Sequence, residues 1–275
     1  MEAGFAIKNG ELIRKEDANI SVYNKSFFFD FVVYSNIKVV NGNMFIPELE
    51  IEKLFQSAKK IGIKHGFSKK IILEWMRILI KKNNIENALV RLLLIGPDMD
   101  TETILFLFPV GLTFYPKKFY SKGVKVITFQ GERLFPTAKT KSLLLNFIAY
   151  REASGKGAVD ALLIDRNGNI AEGTRTSFFA VKGDTLIAPP DDNVLEGVTR
   201  KIILEIAPQI MKIKKQKISL KEIKNYDFLI LSGTTLGIMP ISHVDNKRLE
   251  IRNPEKLKHL QKIFREYCDK EYKNL

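Results

Sequence analysis

The sequence is poor in the residues that form covalent cross-links and metal centres. It contains one cysteine, Cys268, so a single chain can form neither a disulfide framework nor a multi-cysteine zinc site. Its three histidines, His65, His243 and His259, lie far apart and lack the spacing typical of metal ligands. The composition therefore excludes a disulfide scaffold and gives no support to a metal-centred function.

Long hydrophobic runs are also missing. The longest apolar stretch, Ile104–Val110, is much shorter than the roughly 20 residues that span a bilayer as a helix. The segment Met1–Gly4 has no basic stretch followed by an apolar run, as a secretory signal would have. These features predict a cytoplasmic protein with no membrane partner.

Acidic residues are outnumbered by basic ones, 31 to 44, which gives a formal net charge of +13. Such an excess can attract nucleic acid, but nucleic-acid binders usually gather this charge on one face with aromatic residues or arginines. Here the lysines are scattered, as in Lys81-Lys82 and Lys214-Lys215. We interpret the charge as a solvated surface that also attracts anionic cofactors and substrates, and we predict no nucleic-acid partner.

Three Asn-Gly pairs, Asn9-Gly10, Asn41-Gly42 and Asn167-Gly168, lie between strand-like segments and predict β-hairpins. Apolar residues at helical spacing predict helices between them. The predicted helices cover Ile51–Ile61, Ile71–Leu79, Lys141–Ser154 and Thr199–Met211, with a last one starting at Pro254. Because strands and helices mix without a regular βαβ alternation, we predict an α+β fold.

The polar stretch Pro116–Gly123 interrupts the strand pattern and predicts a linker. A chain of 275 residues is long enough for two modest domains. We therefore expect a smaller N-terminal domain over residues 1–115, a linker over 116–123 and a larger C-terminal domain over 124–275.

Several short motifs could carry chemistry, although each has an ordinary structural explanation. Leu195–Arg200 opens a predicted helix, where free amides bind anions, yet Thr199 could simply be its N-cap. Ser232–Thr235 follows a buried strand and could be a polar turn, and Glu172 could form a surface pair with Arg175. Their order along the chain is more informative: a lysine before a helix, a carboxylate, an anion-binding helix start and a Ser/Thr loop.

In this order the motifs resemble those of the class IV aminotransferases. These are pyridoxal-phosphate enzymes that include branched-chain aminotransferase, D-amino-acid aminotransferase and aminodeoxychorismate lyase. Ala138–Asn146 resembles the segment that holds the Schiff-base lysine, and Ala161–Gly173 resembles the hairpin that brings a carboxylate to the pyridine nitrogen. Leu195–Arg200 is similar to the phosphate cup and Ser232–Thr235 to the second phosphate loop. The four motifs together are specific.

The resemblance implies fold type IV, with a smaller N-terminal α/β sandwich, a larger C-terminal barrel-like domain and a homodimer. It implies pyridoxal 5′-phosphate as cofactor, with Lys139 as Schiff-base lysine and Glu172 as partner of the ring nitrogen. Val198 and Thr199, through their backbone, and Thr234 would hold the phosphate. Lys141 is the competing lysine; Lys139 is preferred because it keeps Asn146 and the following residues in the family's register.

The sequence departs from the family pattern at a few positions. Lys53 stands where members carry an arginine that grips the phosphate, and Glu50 replaces a nearby histidine. Ser177 replaces a usual asparagine. We expect Lys53 and Ser177 to contact the cofactor nevertheless, although a lysine cannot form the bidentate fork of an arginine.

Two residues point to the substrate, expected to be a small amino acid and a 2-oxo acid. Arg91 stands where branched-chain members place an arginine, with a surface charge as the equally good alternative, and Tyr34 aligns with an active-site aromatic residue. The carboxylate trap of the D-amino-acid enzymes has no match in Asp98–Glu102. We therefore expect a branched-chain type of aminotransferase. Aminodeoxychorismate lyase, D-amino-acid aminotransferase and a non-catalytic ligand-binding relative remain alternatives.

Overall fold

Asn-Gly turns fold neighbouring segments of the chain into antiparallel strand pairs. In the computed structural model, which describes residues 4–98 and 101–273, Asn9 and Asn41 have positive φ angles of 49° and 50°. The glycine that follows each of them also has positive φ, which is the backbone of a two-residue hairpin turn. The three hairpins predicted at Asn-Gly pairs are confirmed.

The described residues form seven α-helices and seventeen strands. The helices are α1 (Lys25–Phe28), α2 (Pro47–Lys60), α3 (Lys69–Lys82), α4 (Lys117–Lys122), α5 (Leu144–Gly155), α6 (Val198–Ile206) and α7 (Pro254–Glu271). The strands are β1 (Phe5–Lys8), β2 (Glu11–Arg14), β3 (Val32–Val40), β4 (Asn43–Phe45), β5 (Ala88–Ile95), β6 (Ile104–Val110), β7 (Val124–Gln130), β8 (Asp160–Ile164), β9 (Asn169–Gly173), β10 (Ser177–Lys182), β11 (Thr185–Ala188), β12 (Lys212–Lys215), β13 (Ile218–Ser219), β14 (Phe228–Gly233), β15 (Gly237–Val244), β16 (Lys247–Arg248) and β17 (Tyr272–Lys273).

Contacts within the chain divide it into two units. The first unit contains the described residues of Met1–Thr113, Ala138–Ser142 and Cys268–Leu275, and the second contains Phe114–Thr137 and Leu143–Tyr267. The segment interpreted as a linker contains α4, because Pro116 at its N-cap and Gly123 after it delimit one short helix. The division into two domains joined by residues 116–123 stays a prediction.

The first unit is built on an antiparallel sheet of seven strands in the order β17-β4-β3-β5-β6-β1-β2. Alternate residues of β3 are buried, as expected for a strand with one covered face. Helices α2 and α3 pack against the sheet, and their apolar residues share one core with it. That core includes Ile37, Leu54, Met76 and Leu92, all fully buried.

The second unit contains a mixed sheet of ten strands, nine of them in the order β12-β11-β10-β14-β15-β7-β8-β9-β13. Strands β9 and β10 lie five places apart in this order, yet only the loop 174–176 joins them along the chain. The sheet must therefore curl so that the end of β9 approaches the start of β10. Two of the predicted site residues, Glu172 and Ser177, flank this loop.

Two helices differ from the prediction for physical reasons. α5 begins at Leu144 rather than at Lys141, because the preceding residues form backbone hydrogen bonds with β3. α6 ends at Ile206 rather than at Met211, since Pro208 follows and the chain continues as a 3-10 turn.

In the described part of the chain, no helix has both the length and the apolarity needed to cross a bilayer. Residues 99 and 100, within the Asp98–Glu102 segment considered for a carboxylate trap, lie outside the described residues.

Candidate active site

The backbone of Lys139 is held between a strand and a helix of the first unit. Its amide donates to Ser57 Oγ of α2 at 3.0 Å, and its carbonyl accepts from the amide of Tyr34 in β3 at 3.0 Å. The amide of Lys141 donates to the carbonyl of Val32 at 2.9 Å. Residues 139–141 are therefore extended and hydrogen-bonded alongside β3. This pairing fixes the backbone position from which the Lys139 side chain extends.

Three of the predicted residues meet around one aromatic ring. The ammonium nitrogen of Lys139 lies 4.8 Å from the centroid of the Tyr34 ring, and the guanidinium carbon of Arg91 lies 5.6 Å from it. These distances allow cation–π attraction to the ring face. Arg91 is further oriented by its Nε–H, which donates to Asn36 Oδ1 on the neighbouring strand at 3.1 Å. The structure thus brings Tyr34, Arg91 and Lys139 together.

Lys53 of α2 belongs to a buried ion pair. Its ammonium contacts the carboxylate of Glu50, one helical turn earlier, and Ser35 Oγ donates to the same carboxylate oxygen at 2.5 Å. Burial lowers the pKa of Lys53, which the negative charge of Glu50 raises and the positive charge of Lys139 lowers further. Lys139 therefore lies close enough to Lys53 for its positive charge to lower the pKa of Lys53.

Lys141 has a different environment from Lys139. Its ammonium forms a 2.6 Å ion pair with Asp30 and lies 4.3 Å from the centroid of the Phe27 ring. Asp30 itself has a positive φ of 57°, a backbone conformation that aspartate tolerates better than most residues. The ion pair gives Lys141 a structural role at the start of β3.

Glu172 of β9 is buried in the second unit and is held at both of its oxygens. Oε1 accepts from Arg133 Nη1 at 3.0 Å, and Oε2 accepts from the amide of Leu195 at 3.2 Å. Arg133 Nη1 also donates to the carbonyl of Pro136 at 3.0 Å. An arginine and a main-chain amide favour the charged form of a carboxyl group, so this arrangement suits a residue that must hold a cation. Arg175, the alternative partner considered for Glu172, has its guanidinium carbon 3.7 Å from the centroid of the Tyr150 ring.

The first turn of α6 contains buried main-chain amides that have no acceptor within the helix. Because its N-cap is Gly197, Thr199 lies inside the helix and is not the cap. No side-chain hydrogen bond caps this helix start. The first amides of a helix, here those of Val198 and Thr199, have no acceptor within it and carry the positive end of the helix dipole. Arg200 fixes the preceding loop through a 2.6 Å hydrogen bond to the carbonyl of Pro189.

Two serines lie opposite each other beside this helix start. Ser177 in β10 is paired with Ser232 in β14, and Ser177 Oγ is 3.6 Å from the position that a Cβ atom on Gly197 would take. Ser232 Oγ is buried and has no hydrogen-bond partner within residues 4–98 and 101–273. Thr234 follows directly after β14. A buried hydroxyl without a partner costs free energy, so it indicates a site for a polar group that is bound there.

This donor set suits a phosphate monoester. A phosphate dianion needs several hydrogen-bond donors, and the helix start offers amides while the two strand ends offer hydroxyl groups. Glycine at position 197 lets the ligand approach the backbone closely. The residues of the second unit therefore fit a phosphorylated cofactor with a cationic ring, which Glu172 would complement.

The predicted site residues divide between the units. The first unit contains Tyr34, Lys53, Arg91 and Lys139, and the second contains Glu172, Ser177, Val198, Thr199 and Thr234. Within each unit the structure brings several of them together, as described above.

Sequence reasoning missed the residues that support them. Ser57, Arg133 and Ser232 contact or flank predicted residues. Ser232 lies in the Ser232–Thr235 motif, so its position was predicted although its individual role was not, whereas Ser57 lies in the predicted helix Ile51–Ile61 with no signal of its own. Arg133 stands in a loop with no periodicity, and its contact with Glu172 spans 39 positions of the chain.

Comparisons with known proteins show the family and the fold that this chain resembles. The chain matches the family "Amino-transferase class IV" over residues 33–244. It is 29% identical to a probable branched-chain-amino-acid aminotransferase of Rickettsia felis, with 93% of each chain covered, and 27% identical to a D-alanine aminotransferase of Staphylococcus epidermidis, with 88% and 89% covered. Its fold matches that of a branched-chain amino acid aminotransferase from Escherichia coli, at a TM-score of 0.86 and 24% identity, covering 99% of this chain and 97% of that one.

Proposed function

The chain belongs to the class IV aminotransferases, which are pyridoxal-phosphate enzymes, and from this premise we propose that it acts on branched-chain amino acids, with a 2-oxo acid such as 2-oxoglutarate as acceptor. One observation carries the proposal furthest. Glu172 accepts a hydrogen bond from Leu195, just before the helix start whose amides suit a phosphate. The proposed partner for a ring nitrogen and the proposed anion site are therefore linked by a direct hydrogen bond within the second unit.

When bound, pyridoxal phosphate supplies a ring that accepts the negative charge left on the amino acid's α-carbon when its proton is removed. Glu172 would hold the ring nitrogen in its protonated form, which would raise the capacity of the ring to accept this charge. Arg133 and the amide of Leu195 each donate to one oxygen of Glu172, which favours a carboxylate there and holds it in place.

Lys139 is the proposed covalent attachment point of the cofactor and the group that carries the proton. A lysine among other cations loses its own proton more easily, which makes it a nucleophile and a base. Two positive groups of the first unit lie nearby. Lys53 is close enough for the charge of Lys139 to affect its pKa, and Arg91 lies over the same Tyr34 ring as Lys139. Lys141 is less suited because Asp30 holds its ammonium in an ion pair.

The phosphate is proposed to bind to the amides of Val198 and Thr199 and to the hydroxyl groups of Ser177, Ser232 and Thr234. The partnerless Ser232 Oγ supports this assignment. Lys53 adds positive charge. Because Glu50 pairs with Lys53, this contribution is weaker than that of an arginine without such a partner.

Tyr34 and Arg91 are the proposed substrate residues. A guanidinium has five N–H donors, and only the Nε–H of Arg91 is engaged by Asn36 in the described structure's hydrogen bonds. Its terminal nitrogens can therefore take a carboxylate, which both the amino acid and the 2-oxo acid carry. The Tyr34 ring supplies an apolar face for an aliphatic side chain.

A homodimer is the proposed assembly. Leu144, Phe147 and Ile148, spaced i, i+3, i+4 on α5, are 72%, 60% and 40% exposed, and Leu134 in the preceding loop is 78% exposed. Large apolar side chains grouped in this way usually mark an interface. Light scattering of the purified protein at micromolar concentration should give twice the mass of the chain.

We propose further that residues 1–115 and 124–275 act as two domains. We also propose that the protein works in the cytoplasm.

An amino-transfer assay tests the proposed function. The purified protein with added pyridoxal phosphate should form glutamate from L-leucine and 2-oxoglutarate. D-alanine with 2-oxoglutarate, and aminodeoxychorismate scored by pyruvate release, are the matched alternatives. Glutamate from D-alanine alone, or pyruvate release without amino transfer, would replace the branched-chain assignment by one of the other activities of the family.

A further inference from the structure

A buried aspartate organises the loop between Glu172 and Ser177. Asp160, the first residue of β8, has no exposed surface. Its Oδ1 accepts from the hydroxyl and the amide of Thr174 and from the amide of Ala161, the last two at 3.2 and 2.8 Å. Its Oδ2 accepts from Thr176 Oγ1 at 2.7 Å and from the amide of Arg175 at 3.4 Å.

These contacts fix the whole loop 174–176, since each of its three residues donates to the same carboxylate. The strand just before the loop is equally confined. A Cβ atom on Gly173 would lie 2.1 Å from Thr176 Oγ1 and 2.6 Å from Asp160 Oδ2, so no other residue fits there without moving the carboxylate or the hydroxyl. The loop conformation and Asp160 therefore depend on each other.

Two further groups hold the loop. Asn146 Nδ2 donates to the carbonyl of Thr174 at 2.5 Å, and the guanidinium of Arg175 stacks on the Tyr150 ring at 3.7 Å from its centroid. The carbonyl of Arg175 is also 3.6 Å from the position of a Cβ atom on Gly233. Gly233 belongs to the second phosphate loop, so the loop 174–176 packs directly against it.

The consequence follows from chain connectivity. Glu172 and Ser177 are each separated from Asp160-bound residues by at most one position, so their side chains can keep a fixed separation only while the loop keeps its shape. We propose that Asp160 is a positioning residue for cofactor binding: by fixing the loop 174–176, it sets the places from which Glu172 meets the ring nitrogen and Ser177 meets the phosphate. This inference rests on the proposed function.

The same strand offers a matched control. Asp165, just after the other end of β8, accepts from the amides of Asn167 and Asn169 at 2.9 and 2.8 Å. It therefore holds a turn in the same way as Asp160 does. None of the proposed site residues lies in that turn.

The test compares Asp160→Asn with Asp165→Asn and the parent protein. Asparagine keeps the shape of aspartate but turns one acceptor oxygen into a donor, so it opposes the donors that face it. Each protein is freed of cofactor and titrated with pyridoxal phosphate. The Kd, the visible circular dichroism of the bound cofactor and the thermal midpoint of the cofactor-free protein are recorded.

Asp160→Asn should raise the Kd about ten-fold and change the visible dichroism, because the loss of a buried hydrogen bond to a charged group is of this order. Asp165→Asn should lower the thermal midpoint but leave both cofactor signals unchanged. An unchanged Kd and dichroism in Asp160→Asn would overturn the proposal, and so would an equal change in both variants.

A milder variant covers the case in which Asp160→Asn does not fold. Thr176→Val removes one donor and keeps the size of the side chain, so a smaller rise in Kd is expected, and its absence counts against the proposal. If the parent protein binds pyridoxal phosphate and transfers amino groups while Asp160→Asn matches it, only the positioning role fails. A parent protein that takes up no pyridoxal phosphate would overturn the proposed function and this inference together.

Discussion

The two units contribute different kinds of chemical group to the proposed reaction. In the first unit, three long cationic side chains, Lys53, Arg91 and Lys139, lie near one acidic residue and one aromatic ring. In the second unit, the buried carboxylate of Glu172 is held by Arg133 and by the amide of Leu195, three residues before α6 begins. The first unit therefore works through charges that neighbours and burial adjust, and the second through fixed geometry. The changes below test this difference.

The largest expected effect comes from the arginine that holds Glu172. Arg133→Met removes a donor at 3.0 Å from Oε1, and the loss of a hydrogen bond to a charged group costs about 1.5–3 kcal/mol. We expect kcat for leucine and 2-oxoglutarate to fall roughly ten-fold or more at saturating cofactor. Arg133→Lys should restore part of the activity, since it returns a donor but not the planar fork.

Arg166→Met is the matched control for this prediction. Arg166 also pairs with a glutamate of the second unit, Glu132, at 3.1 Å, but this pair is exposed. Exposed pairs contribute little, so kcat should stay at the parent value. An unchanged kcat in Arg133→Met would show that Glu172 needs no fixed partner, and equal losses in both variants would show that the loss does not come from the contact with Glu172.

An intermediate effect is expected from Ser232→Ala, with opposite consequences for binding and stability. The serine hydroxyl is buried without a partner among the described residues, so its removal should leave the thermal midpoint of the cofactor-free protein unchanged or slightly higher. The Kd for pyridoxal phosphate should rise about five-fold, as the loss of one hydrogen bond of about 1 kcal/mol predicts.

Ser26→Ala provides the contrast. Ser26 is also buried, but its hydroxyl donates to the carbonyl of Pro97 at 2.8 Å in the first unit. Its loss should lower the thermal midpoint without changing the Kd. A Ser232→Ala protein that behaves like Ser26→Ala would remove Ser232 from the phosphate site.

The smallest effect concerns the adjustable charge of Lys53. Burial lowers the pKa of this lysine. In the proposed site Lys53 would attract the phosphate below that pKa and would lose the attraction as pH rises through it. Arginine stays charged throughout this range. Lys53→Arg should bind pyridoxal phosphate about two- to three-fold more tightly at pH near 7, and the advantage should grow towards pH 10.

Lys141→Arg is the corresponding control, because Lys141 forms an ion pair with Asp30 that an arginine can keep. Titrations across the same pH range should give the parent Kd at every point. If the affinities of the parent protein and of Lys53→Arg for pyridoxal phosphate fall in parallel as the pH rises, the charge of Lys53 makes no contribution to phosphate binding.

The same contrast explains what the sequence could predict. The second unit's motifs are local: a glycine before a helix start and an Asn-Gly hairpin specify their own backbone, so Val198, Thr199 and the frame around Glu172 could be located. Asp160 is marked in the sequence only as an acidic residue directly before the apolar segment Ala161–Ile164, which is a weak signal. Its five donors come mostly from a loop 14 to 16 positions later.

The arrangement of the first unit is less predictable from the sequence. α5 begins three residues later than predicted, because the pairing of Lys139 and Lys141 with β3 depends on residues more than 100 positions away. The Glu50–Lys53 pair has the i, i+3 spacing of an ordinary surface pair on a helix, and only the packed structure shows that it is buried.

The account depends most on which lysine carries the cofactor, and peptide mapping after borohydride reduction measures this directly. The protein loaded with pyridoxal phosphate is reduced and digested, and the modified peptide is identified by mass spectrometry, in parallel for Lys139→Ala and Lys141→Ala. The label should sit on Lys139 in the parent protein and in Lys141→Ala, and should be lost in Lys139→Ala. A label on Lys141 or Lys53 in the parent protein would contradict the account.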